Sequence, residues 1–234
     1  MNKNIETAIL ISARAEWKAL CIHFPECEPE TTPYGACFTT SIEGHKVSFL
    51  HGGWGKVAAA ASTQYAIDRW HPQRVINLGT CGGFAGQVER GAVILAEKTV
   101  IYDIIEQMTD QDNAIAHYTC NPDLSWVPDP PPQPVIRKTL VSADRDIRSE
   151  DIPLLIEKFN APAGDWESGA IAWVAKRNNL PCLILRGVSD LIDPQGGEAY
   201  GNYAFFEEQT LLIMDEFIQV LPTWLAAFNN QKKL

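Results

Sequence analysis

Residues 165–190 read DWESGAIAWVAKRNNLPCLILRGVSD, and this stretch decides the fold. Two carboxylates, Asp165 and Glu167, flank Trp166 at its start. The small, apolar run from Ser168 to Ala175 has the spacing of a buried helix. Asn178, Asn179 and Pro181 are stop signals for that helix. Cys182 to Leu185 is then a short apolar run after a turn, the pattern of a buried, parallel strand that ends in Arg186, Ser189 and Asp190. In open α/β sheets ligands bind beyond the carboxyl ends of strands, so a helix–strand unit with acids at both ends points to a site. The plainer alternative is that Glu167 and Asp190 each cap a helix N-terminus, and the local pattern leaves both readings open.

Toward the N-terminus the same alternation repeats. Ala8 to Ile11 reads as a buried strand, and the helix pattern that follows carries Glu16 in its first turn, where an acid also suits the helix dipole. Cys37 to Ile42 and Lys46 to Leu50 look like paired strands. Gly52, Gly53 and Gly55 precede an alanine-rich helix from Lys56 to Arg69, but without the glycine spacing of a dinucleotide fingerprint. Val75 to Leu78 is another buried strand, running into Gly79-Thr80-Cys81-Gly82-Gly83, where glycines permit close approach of a ligand or simply a tight turn. Ala92 to Asp103 is β-rich, and Thr139 to Ser142 is a short strand. Ser149 reads as the cap of a helix from about Asp151 to Phe159. The segment from about Ala204 to Phe228 reads as an amphipathic helix with Leu212, Phe217, Leu221, Trp224 and Phe228 at near-helical spacing. Strands alternating with helices predict an α/β/α sandwich with a mainly parallel, twisted mixed sheet. One domain is expected over residues 1–234, with an irregular proline-rich loop at about 108–134.

Composition narrows the function. With 46% hydrophobic and 21% charged residues the chain is of ordinary globular make-up. A formal net charge of -10 argues against a nucleic-acid partner, whose backbone calls for clustered Lys and Arg, but not against a small nucleoside. Cys21, Cys27, Cys37, Cys81, Cys120 and Cys182 form no C-x-x-C pair and read as free thiols of a reducing compartment. The five histidines are scattered, so no metal and no cofactor is expected. The apolar start is too short for a secretory signal and no run of membrane-spanning length stands out, so a cytoplasmic protein without a membrane partner is expected.

Four segments together, GGWGKVAAA (52–60), VINLGTCGG (75–83), DWESGAIA (165–172) and RGVSD (186–190), resemble the purine nucleoside phosphorylase/nucleosidase family. The resemblance runs from Ile9 to about Phe217 and is greatest to the methylthioadenosine/S-adenosylhomocysteine nucleosidases. It implies hydrolysis of the N-glycosidic bond of a purine nucleoside, with Asp190, Glu16 and Glu167 as catalytic residues. Asp190 would protonate the leaving purine at N7, Glu167 would bind the ribose hydroxyls, and Glu16 would activate water. Ser189 and Arg186 would orient the acids. Thr80, Cys81, Gly82, Asp146, Ile147, Asp165 and Trp166 would line the substrate site, and a homodimer is implied. The chain departs from the family where Asp146 stands in place of an aromatic or apolar residue against the purine, Trp166 in place of a methionine, and Cys81 in place of a small residue. Family phosphorylases place a Gly-Asp-Pro-x-Arg-type loop after the first strand and an arginine shortly before the G-[ST]-C-G turn; here Ser12-Ala13-Arg14-Ala15 and Asn77 occupy those places, which favours water over phosphate. The alternatives are a phosphate-dependent phosphorylase of the same fold and a non-catalytic nucleoside-binding or storage protein.

Overall fold

Apolar runs become strands here because both of their faces are covered. The computed structural model describes residues 5–231. β1 (Thr7–Ile11) leads into α1 (Arg14–Ile22). β2 (Glu30–Thr32), β3 (Gly35–Ile42) and β4 (His45–His51) form an antiparallel meander. α2 (Lys56–Trp70), β5 (Arg74–Phe84), β6 (Val93–Ile101), α3 (Gln111–Tyr118) and β7 (Ile136–Ser142) follow. α4 (Ile152–Phe159), β8 (Ala163–Asp165), α5 (Ser168–Arg177), β9 (Cys182–Asp193), β10 (Gly196–Gly197) and α6 (Tyr203–Gln231) complete the order.

The ten strands make one mixed sheet in the order β10-β9-β6-β7-β8-β5-β1-β4-β3-β2. β1 runs parallel to β4 and β5, and β5 runs parallel to β9. Because β9 pairs with both β5 and β6, the strands β5, β8, β7, β6 and β9 close into a ring. Side chains of a strand alternate between faces. Ala8, Leu10, Val75, Cys182 and Ile184 accordingly pack with Ala59 and Ala66 of α2 and Ile171 and Ala175 of α5. Their neighbours Ile9, Ile11, Ile76, Leu78, Leu183 and Leu185 pack with Leu20 of α1 and Phe217, Leu221 and Trp224 of α6. The result is a three-layer α/β/α arrangement.

Several expectations change. β5 and β9 continue well past their apolar runs, to Phe84 and Asp193, so the glycines and polar residues thought to follow the strands lie within them. The register of β5 on β9 shifts by one residue at Ser189, a bulge that re-aims the side chains around it. The segment at 108–134 is not wholly irregular: it contains α3, started by Asp110, whose side chain accepts from Asp112 N at 2.8 Å. Polar composition hid that helix. Ser149 lies in a 3-10 turn and donates to the carbonyl of Asp193 rather than capping α4. In α6 the stripe from Phe217 to Phe228 is buried, but Leu212 is 61% exposed. By length and composition alone Tyr203–Phe228 would suffice to cross a membrane, which the sequence reading overlooked. Its buried face packs on α1, β5 and β9.

Phe49 of β4 has no exposed surface and packs against Phe24 and Phe38. Phe49→Ala should lower unfolding free energy by about 3–5 kcal/mol, read as a reduced midpoint in urea denaturation.

Candidate functional site

The organising group is Arg186, on β9, with no exposed surface. Its Nε lies 2.9 Å from Asp165 Oδ2 and donates to Ser168 Oγ at 3.0 Å. Nη2 donates to Asn77 Oδ1 at 2.8 Å and lies 3.5 Å from Glu167 Oε2, while Nη1 lies 3.6 Å from Glu16 Oε1. Burial works against the guanidinium charge, but Asp165, Glu16 and Glu167 outweigh it and raise the Arg186 pKa. Gly79 is required at this spot: a Cβ there would fall 2.1 Å from Arg186 Nη1 and 2.5 Å from Glu16 Oε1. The glycines of β5 therefore admit protein side chains; at Gly82 the neighbour would be Ile192 Cδ1 at 2.6 Å.

Glu16 is 2% exposed at the start of α1. Oε2 accepts from Ala13 N at 2.9 Å and Ser12 N at 3.2 Å, which is half of a capping box. Oε1 accepts from Thr80 N at 2.7 Å and Thr80 Oγ1 at 3.0 Å, tying α1 to β5. The helix-terminal reading of Glu16 is thus correct and incomplete, since the same carboxylate faces the cavity. Glu167 precedes α5 but makes no side-chain cap; Oε1 instead accepts from Gly55 N at 2.9 Å. Burial raises its pKa from the usual 4.5 to about 8, against the pull of Arg186. Asp190 lies inside β9 and caps nothing. Ser189 Oγ donates to Asp190 Oδ1 at 2.7 Å. Burial raises the Asp190 pKa, only partly offset by the Ser189 bond, with Glu198 and Asp146 adding to the rise. Asp165 is spent on structure, accepting from Ser142 Oγ at 2.6 Å and from Ser168 N and Oγ as well as facing Arg186.

These groups border one cavity of about 900 Å³. Glu16, Glu167, Asp190, Thr80, Cys81 and Gly82 line it, as do Asp146, Ile147, Asp165, Trp166 and Ser189. Arg186 is the exception among the expected residues, standing behind the carboxylates rather than on the cavity wall. Ile147 is buried and Asp146 exposed, both on the segment after β7. Burial raises the Cys81 thiol well above its ordinary value, which keeps it protonated and unreactive. Sequence reasoning missed His51, Trp54, Tyr200, Tyr203 and Phe206, which also line the cavity. His51 ends β4 beside the glycines already singled out, a signal that was legible. Tyr203 and Phe206 gave none, because the start of an amphipathic helix looks alike whether it faces core or ligand.

The raised Glu167 pKa has a thermodynamic consequence. The folded state holds the proton more tightly than the unfolded one, so this contribution to stability is complete below pH 4.5 and is lost as pH rises toward about 8. Chemical denaturation across that range should show stability falling with pH, and Glu167→Gln should flatten the slope.

The chain matches the family model described as Phosphorylase superfamily over residues 8–221. It is 27% identical over 235 residues to the 5'-methylthioadenosine/S-adenosylhomocysteine nucleosidase of Bacillus thuringiensis (strain Al Hakam), covering 90% of this chain and 95% of that one. Among solved structures it is similar to the Helicobacter pylori enzyme of the same name, crystallised with butyl-thio-DADMe-Immucillin-A, at TM-score 0.79 and 18% identity, covering 94% and 98% of the two chains. It is also similar to futalosine hydrolase of Helicobacter pylori strain 26695, at TM-score 0.75 and 17% identity, covering 99% and 100%. The family match spans most of the described sheet and every acid of the cavity, and this chain belongs to the Phosphorylase superfamily.

Proposed function

We propose that the chain is a purine nucleosidase, hydrolysing the N-glycosidic bond of a methylthioadenosine/S-adenosylhomocysteine-type nucleoside to free base and sugar. The observation that carries the reading is the meeting of Glu16, Glu167 and Asp190, far apart in sequence, on one cavity wall system organised by Arg186. The curated relatives of 27% identity that cover most of both chains bear the same activity in their names.

The chemistry follows from the acids. The bond from C1′ to the purine breaks with its electron pair leaving on the base, and Asp190 supplies a proton to N7. A carboxyl whose pKa is raised by burial suits this role, because more of it is protonated near neutral pH. Positive charge develops on the ribose. Glu167, held by Gly55 N at 2.9 Å and 3.5 Å from Arg186 Nη2, accepts from the ribose hydroxyls, which become better donors as that charge develops. Water forms the new bond at C1′ and gives its proton to Glu16, which Thr80 and the backbone at Ser12 and Ala13 hold in place. Asn77 contributes no positive charge for a phosphate; its amide is engaged by Leu10 O, Ser168 and Arg186. Glu16 would also repel a phosphate dianion, since like charges about 4 Å apart cost several kcal/mol at an effective dielectric near 20. A homodimer fits the same reading, because Trp54 at the cavity mouth is 72% exposed and a partner would cover it.

Purified protein should release free purine and a reducing sugar from 5′-methylthioadenosine at the same rate with and without phosphate. Asp190→Asn should lower turnover by about 100- to 10,000-fold while keeping the fold. A sugar phosphate product, or turnover that needs phosphate, would replace the hydrolase reading with the phosphorylase one.

A further inference from the structure

The mechanism leaves one charge in the cavity unused. Among the described residues lining it, Arg14 is the one permanently cationic side chain. It is exposed at the first position of α1 and lines the cavity together with Ala13, His51 and Trp54. Four other arginines of this acidic chain meet carboxylates, Arg69 with Glu30, Arg90 with Glu198, and Arg145 and Arg148 with Asp151, whereas Arg177 lies over the Trp173 ring. Among the described residues no carboxylate lies within ion-pair distance of Arg14. The wall around it is firm. His51 stacks on Trp17 at 5.5 Å and 15°. Burial lowers the His51 pKa, Glu16 and the Ser12 backbone oppose the fall and Arg14 adds to it, so the lasting positive charge on this wall is that of Arg14.

Elsewhere the cavity disfavours anions, since Glu16, Glu167, Asp190 and Asp146 all border it. The lining also includes the aromatic side chains of Trp54, Trp166, Tyr203 and Phe206, and the Trp54 and Trp166 rings lie 5.7 Å apart. We propose that Arg14, with this aromatic wall, forms a subsite for an anionic group of the carboxylate class on the 5′ arm of the nucleoside. The inference rests on the nucleosidase reading. With the base held at Asp190 and both ribose hydroxyls at Glu167, the 5′ arm is the remaining substituent that can run to another wall. Free phosphate shares the anionic chemistry, but Glu16 two residues along the same turn opposes a dianion there. An arginine also matches a carboxylate geometrically, through paired donors on a planar fork.

The test compares two probes, a 5′-carboxyethylthioadenosine and its uncharged methyl ester, each with and without inorganic phosphate. Wild type, Arg14→Gln and Arg14→Lys are assayed, with circular dichroism as the check on folding. Wild type should favour the acid over the ester by roughly tenfold in KM, and the preference should shrink as sodium chloride is added. Arg14→Gln should abolish the preference and Arg14→Lys should keep part of it. Equal KM values for acid and ester in wild type would overturn the subsite. So would a loss in Arg14→Gln shared equally by both probes, which marks a structural role. Turnover that requires phosphate, with Arg14→Gln raising the KM for phosphate, would assign Arg14 to phosphate instead. If Arg14→Gln does not fold, the salt dependence of the wild-type preference decides. If neither probe is cleaved, the nucleosidase reading fails, and calorimetric binding of the two probes still decides the subsite.

Discussion

A single guanidinium without exposed surface faces three carboxylates, those of Glu16, Asp165 and Glu167. Buried charge is tolerated only when it is paired and hydrogen-bonded, and removing one partner of such a cluster costs about 3–5 kcal/mol. One positive charge cannot balance three negative ones in a place closed to water. Burial is the main cause that lifts the Glu167 carboxyl to about 8; Arg186 pulls it back, and the neighbouring Asp165 and Glu16 add to the rise. The tension that makes Glu167 expensive at rest is the one a cationic sugar would release, so the same arrangement serves both the fold and the reaction.

The sheet supplies the geometry. Gly79 stands opposite Arg186 in the register of β5 on β9, and its missing Cβ makes room for the guanidinium and for Glu16. Three positions farther along, the bulge at Ser189 breaks the alternation of β9, and Asp190 pairs with Gly82. Ser189 and Asp190 then both border the cavity although they are consecutive in a strand. The two strands that carry these pieces, β5 and β9, both belong to the ring closed with β8, β7 and β6, so the site is built on paired strands rather than on loops.

Much of this was legible in the sequence, for identifiable reasons. Doubly covered strands such as β1 and the first halves of β5 and β9 announce themselves as apolar runs, and α2 and α5 as small-residue helical patterns. Glu16, Glu167 and Asp190 stood out by their places after apolar runs, although the local pattern equally fitted acids at helix N-termini. Resemblance to a family supplied their grouping, which no local pattern contains. What stayed hidden depends on tertiary partners. The second halves of β5 and β9 read as loops because their glycines and polar residues face one another and the cavity. α3 is polar and short, and the burial of Asp165 against Ser142 and Ser168 cannot be seen without the fold. Cavity aromatics on the loop before α6 and at its start, Tyr200, Tyr203 and Phe206, carry no periodic signature that separates them from the core.

The account turns on the claim that Arg186 positions the acids as a unit through its planar fork. Arg186→Lys tests it most directly, because an ammonium keeps the charge and loses the geometry. Three separate carboxylates and Asn77 then compete for one point charge. With folding verified by circular dichroism, kcat for 5′-methylthioadenosine should fall by at least about 100-fold, as expected when reacting groups are misplaced by an ångström. A folded Arg186→Lys variant that turns over this nucleoside at close to the wild-type rate would contradict the account.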